Sequence, residues 1–204
     1  MQEIDNQLKI GYAVLVADIN GDKSRTSCDE PTVHRVRAFD IDGDSKPEIV
    51  HVPLQGRGAT AKGNYTDGKP VRIMAYKVPK DPEKPENWKP MVLSEEFHVC
   101  HNFWPVFARN GPELRAIYVT AYEGVFAIVP ENKKWFTLQK GEGNQANPKG
   151  SRGASEVKAS HSFGLDLLAT IEPWHGNQVV IYKLRPPENL VTPHGVKIPA
   201  ATST

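Results

Sequence analysis

Asp40-Ile41-Asp42-Gly43-Asp44-Ser45-Lys46-Pro47-Glu48-Ile49-Val50 sets side-chain oxygens at the first, third, fifth and ninth places of one short acidic loop. Calcium takes six to eight hard oxygen ligands, and alternate residues of a tight loop all point at one ion. Gly43 permits the sharp turn that keeps the carboxylates converging. An EF-hand would carry glycine at the sixth position and helices on both sides. Here the sixth position is Ser45, and the flanks Val33–Phe39 and Glu48–Leu54 alternate as strands do. The loop therefore belongs at a β-hairpin, with Asp40, Asp42, Asp44 and Glu48 as candidate ligands for calcium or magnesium. An earlier version, Asp18-Ile19-Asn20-Gly21-Asp22, follows the apolar run Tyr12–Ala17 but ends at Thr26 in the ninth place. Asp-Gly loops also form good turns that bind nothing, and both readings stand at this level.

The chain has 204 residues and a net charge of +1, enough for one sizeable core and without a basic stripe. Phosphate binding needs clustered positive charge, so nucleic acid is not an expected partner. No apolar run is long enough to span a membrane as a helix. The start, Met1-Gln2-Glu3-Ile4-Asp5, lacks the basic and apolar stretches of a signal peptide. The cysteines, Cys28 and Cys100, lie far apart without metal-ligand spacing, which fits reduced thiols in a cytoplasmic protein.

Strand-like runs recur at 33–39, 48–54, 71–78, 91–93, 99–107, 115–121, 125–129, 135–138, 154–159, 166–172 and 178–184. Amphipathic helices are nearly absent. Such spacing marks a sandwich, barrel or propeller. Grouping into units of roughly 50 residues favours an all-β, propeller-type stack of four-stranded blades. We read residues 1–184 as a partial propeller, with units at about 32–97, 98–140 and 153–184, and 185–204 as a proline-rich tail. Too few residues separate Asp22 from His34 for a complete further blade, and three to four blades do not close a ring. Exposed blade edges then predict self-association as a homodimer, or missing blades supplied by a longer chain.

Propeller geometry places the start of each inner strand beside the end of its neighbour in the same blade. The inner starts carry His34, His98 with His101, and Glu156; the second-strand ends carry His51 with Arg57, Tyr122-Glu123, and Glu172-Pro173-Trp174-His175. Imidazole is a common zinc ligand and the usual general base near neutral pH. Histidines at strand ends also make ordinary hydrogen bonds, and His161 and His194 read as surface residues. Trp104, Trp135, Trp88, Phe103 and Phe126 read as packing between blades, whereas Trp174 beside His175 suits the floor of a sugar site. Gln55-Gly56-Arg57-Gly58 lacks the pattern of a phosphate loop.

The repeats with Asp-x-Asp-Gly-Asp resemble FG-GAP/VCBS propeller repeats. Pro31–Arg35, Pro53–Gly58, His98-Val99-Cys100-His101-Asn102-Phe103-Trp104-Pro105-Val106, Gly153–Glu156 and Glu172-Pro173-Trp174-His175-Gly176-Asn177 resemble the propeller domain of aldos-2-ulose dehydratase, also called 1,5-anhydrofructose dehydratase. That resemblance implies a zinc-dependent lyase that eliminates water from a 2-keto sugar such as 1,5-anhydrofructose. It implies a zinc ion polarising the C2 carbonyl and His34 as the group that moves the C3 proton. Position in the repeat adds His101 and His175 as zinc ligands, with His51, His98 and Glu172 in reserve. His51, Arg57, Glu172 and Trp174 are the expected substrate contacts. The family enzyme is much longer, and Tyr12 stands where a first inner histidine is expected. The alternative is a non-catalytic calcium-binding propeller module that binds a carbohydrate or a protein partner.

Overall fold

The computed structural model describes residues 32–82, 84–108, 111–131, 134–141, 153–162 and 165–184. Tyr12, the acidic loop at Asp18, the connection 142–152, His194 and the tail 185–204 lie outside the described residues. Within them the fold is all-β, with eleven strands and a single 3-10 turn at Pro85–Asn87. No helix among the described residues is long and apolar enough to cross a membrane.

The strands run β1 Val33–Phe39, β2 Glu48–Pro53, β3 Val71–Lys77, β4 Pro90–Phe97, β5 Cys100–Phe107, β6 Leu114–Ala121, β7 Gly124–Glu131, β8 Lys134–Gly141, β9 Glu156–Ser162, β10 Leu165–Glu172 and β11 Gln178–Leu184. They form three antiparallel meanders: β1-β2-β3-β4, β5-β6-β7-β8 and β9-β10-β11. Each apolar run of the sequence becomes a strand. The largest difference is β4, which exceeds its apolar run 91–93 at both ends. It is an outer strand whose Met91, Val92, Glu95 and Glu96 are exposed, and its pairing with β3 is irregular. Backbone pairing carries it past the polar stretch Ser94–Glu96 to the buried Phe97.

The middle sheet explains the stacking. Successive residues of a strand face opposite sides, so a strand covered on both sides reads as continuously apolar. On β6, Leu114, Ile117 and Val119 pack toward the first sheet, while Ala116 and Tyr118 pack toward the third. On β7, Ile128 and partly buried Phe126 face the first sheet, and Val125, Ala127 and Val129 face the third. The first core adds Phe39, Val50, Val52, Val71, Ile73, Leu93, Phe97 and Phe103; the second adds Ala154, Val157 and Leu168. Sheets stacked in chain order, each a meander with its first strand innermost, make an incomplete propeller. On the far side of the third sheet Val179 and Ile181 stand 71% and 57% exposed.

Phe103 is fully buried at the junction of the first two sheets, in ring contact with Phe39. Phe103→Ala should lower unfolding free energy by about 3–5 kcal/mol, read from the denaturant midpoint at an unchanged slope. A loss below about 1 kcal/mol would mean that the two sheets do not share this core.

Candidate functional site

Two equivalent backbone seams build the site. The Cys100 N–H donates to the Leu54 carbonyl just past β2, at 2.9 Å. The Ala154 N–H donates to the Ala121 carbonyl at the end of β6, at 3.1 Å. Each seam ties the start of an inner strand to the second strand of the preceding blade. Gly153 makes the later seam possible: its φ is +78°, and a Cβ there would fall 2.2 Å from the Ala121 carbonyl oxygen.

These seams gather His34 from the start of β1, His101 from β5 and His175 from the turn after β10. The His34 and His101 ring centroids lie 4.8 Å apart, edge to face. His101 and His175 are also 4.8 Å apart, and their Nε2 atoms meet at 2.8 Å, one donating and the other accepting. Trp174 stacks on His175 at 4.3 Å, and Tyr122 from the end of β6 meets Trp174 edge-on at 5.8 Å. A row of five rings therefore links all three sheets. His175 holds a left-handed backbone with φ of +54°, a conformation that costs energy for a residue with a Cβ and clusters at functional sites.

The electrostatics keep His34 and His101 neutral. Burial, then the Arg35 guanidinium, then the neighbouring imidazoles lower His34 to about 4, and Glu156 opposes them. Burial, His175 and Arg35 lower His101 to about 4 as well. The sequence-level expectation of a base near pKa 7 is therefore revised: enclosure beside a fixed cation disfavours imidazolium. Burial alone would raise Glu156, but bonds from Lys158, the Val157 N–H and Asn102 hold it below the usual carboxylate range. Lys158 and Arg37 cover Trp104, each 4.4 Å from the ring. Arg35, Asn102 and Glu156 are thus neighbours of the cluster that sequence reasoning did not assign a role. Arg35 was adjacent to His34 and offered a signal; the Asn102–Glu156 bond joins two sheets and offered none.

The other candidates go elsewhere. His51 lies within β2, 2% exposed and stacked on Tyr76 at 5.5 Å. His98 pairs with Glu123 at 2.8 Å in the seam between the first two sheets. Arg57 sits in the β2–β3 connection, where its carbonyl accepts the Lys69 N–H. Glu172 is 1% exposed and accepts bonds from the Thr170 and Tyr182 hydroxyls, each at 2.6 Å. Its place is under the turn carrying Trp174 and His175, and Tyr182 was not foreseen as its partner. His161 lies on β9.

The acidic loop joins β1 to β2. Asp40 accepts the backbone N–H groups of Asp42, Gly43 and Ser45, Asp42 accepts that of Asp44, and Asp44 that of Lys46. Glu48 Oε2 accepts the Ile41 N–H at 3.0 Å, while burial pushes the Glu48 carboxyl pKa up. Donor oxygens of Asp40, Asp42 and Glu48 lie within 4.8 Å of one another, a spacing able to hold a metal ion.

Burial, the first cause in each case, lowers His34, His51 and His101 from 6.5 to about 4. Between those values the unfolded chain takes up protons that the folded protein refuses, so stability rises with pH there. Melting temperature should therefore fall as pH drops from 6.5 toward 4, and His51→Gln should flatten that fall. A melting temperature that climbs on acidification would show these imidazoles charged in the fold.

No curated protein matches the chain. The family model described as the β-propeller domain of aldos-2-ulose dehydratase matches residues 20–185. That span includes every described strand, both seams, the histidine cluster and the acidic loop, and ties the chain weakly to carbohydrate dehydration. The chain belongs to the aldos-2-ulose dehydratase β-propeller family.

Proposed function

We propose that the histidine cleft is the site of a metal-dependent carbohydrate lyase, or the remnant of one, that removes water from a 2-keto sugar such as 1,5-anhydrofructose. The observation that carries this reading is the convergence of His34, His101 and His175 beside the stacked Trp174. His101 and His175 would hold zinc. Their Nε2 atoms already face each other at 2.8 Å. They supply two of the ligands that a catalytic zinc takes, so the donor set fits in part. Bound there, zinc would polarise a carbonyl as a Lewis acid.

The residues do the rest. The Trp174 and Tyr122 rings offer an apolar wall to the sugar. His34 is neutral at pH 7 and accepts the proton from C3. Its conjugate acid is strong in this enclosure, so it returns the proton readily to the hydroxyl leaving C4 as water. Glu172 fixes the turn behind His175 through Tyr182 and Thr170.

The acidic loop favours a second reading, in which the chain is a non-catalytic module that binds a hard divalent cation and a carbohydrate or protein partner. Loop and cleft are separable by experiment. His34→Ala should cost about 10²–10⁴-fold in dehydration and keep the metal, whereas His101→Ala should lose metal and activity together, measured by elemental analysis beside product formation. A zinc-loaded wild type that turns over no 2-keto sugar would sink the lyase reading. For the loop, Asp42→Ala should lower melting temperature more in calcium than in chelator, where it loses only its contacts with Lys77 and the Asp44 N–H.

A further inference from the structure

The hydrogen bonds of the acidic loop engage both oxygens of Asp40 but only one oxygen each of Asp42, Asp44 and Glu48. Asp42 Oδ1, Asp44 Oδ1 and Glu48 Oε2 accept backbone N–H groups of the loop. The opposite oxygens converge on one point, and the Lys77 ammonium occupies it. Lys77 Nζ is 2.7 Å from Asp42 Oδ2, 2.7 Å from Asp44 Oδ2 and 3.9 Å from Glu48 Oε1. Lys77 is there because sheet register puts it there: it pairs directly opposite Glu48 across β2 and β3.

Glu48 shows that an ammonium does not complete this site. Its side chain is 3% exposed, and buried Oε1 has no hydrogen-bond partner while pointing at the cluster. A buried carboxylate oxygen without a partner is costly. At 3.9 Å the lysine lies beyond hydrogen-bond range of Oε1. A divalent ion with a larger oxygen shell would take Asp40, Asp42, Asp44 and Glu48 together. The Lys77 side chain is 53% exposed, so it has room to swing into solvent.

We propose that Lys77 is a built-in competitor for the divalent cation of this loop: its ammonium holds the loop closed without metal and leaves when a hard cation binds. This rests on the second reading above, that the loop binds such a cation. Displacement of a tethered ammonium sets the affinity lower than the four carboxylates alone would give. It also makes the loop self-sufficient at low cation concentration, since the charge repulsion among Asp42, Asp44 and Glu48 is never left unbalanced.

Calorimetric titration of the full chain with calcium chloride, at low ionic strength, tests it on wild type, Lys77→Met and Lys77→Gln. Both variants should bind calcium about three- to thirtyfold more tightly, the range that two exposed ion pairs of ordinary strength would span. In chelator both should melt at lower temperature than wild type, and calcium should restore the difference. Equal calcium affinity in all three proteins would overturn the competition and leave the cation site standing. Absence of calcium binding in all three would overturn the cation site as well, leaving Lys77 as a permanent counter-ion.

Discussion

The structure depends on the middle sheet being buried on both faces. Ile117 and Tyr118 are adjacent on β6 and serve different cores, as do Val125 and Phe126 on β7. Such strands have no stable existence as a two-layer sandwich, because half of their apolar side chains would face water. Each middle strand therefore requires a sheet on either side, and burial at about 25 cal/mol per Å² supplies the driving force for that stacking. The backbone seams at Leu54–Cys100 and Ala121–Ala154 then fix how far each blade rotates against the next. Function follows from the seams, since they decide which strand starts meet.

Much of this was legible in the sequence. Apolar runs between turn residues marked the position of every described strand. β4 was read too short because Ser94, Glu95 and Glu96 are polar and interrupt its apolar run, although the strand continues through them to Phe97. The histidine cluster was legible from position in the units, with His34 and His101 at the starts of inner strands and His175 at the end of a second strand. His51 shows where that reasoning runs out. Its position near the end of β2 was right, but its side chain faces Tyr76 within the sheet. Strand parity decides facing, and one residue of difference sends a side chain to the other side.

Electrostatic character was the least legible property. A histidine in a sequence carries an ordinary pKa until its enclosure is known. Around His34 and His101 the same three influences recur: burial, the fixed charge of Arg35, and mutual repulsion between imidazoles. All act against protonation, and Glu156 is the opposing charge, already engaged by Lys158 and Asn102. His34 and His101, kept neutral in this way, present nitrogen lone pairs, which suits metal ligation and proton acceptance alike. That dual suitability is why the cleft, and not any single residue, carries the catalytic reading.

The cleft and the acidic loop lie at opposite ends of one strand. His34 stands at the start of β1, and Asp40 follows its last residue. A strand rises about 3.3 Å per residue, so the two sites are about 20 Å apart. At about 0.15 M salt the screening length is about 8 Å, and charge at the loop is largely hidden from the cleft. A cation bound among Asp40, Asp42 and Glu48 therefore has no direct part in chemistry at His34. The route that joins loop to histidines is the register of β1 against β2, where a slip of one residue would turn His34 away from His101. The β1–β2 pairing runs without irregularity from Arg35 to Phe39 beside the loop and shifts between Val33 and Arg35 at the cleft. Regular pairing at the loop end anchors the strand, and the irregularity at the other end frees His34 to face the neighbouring blade.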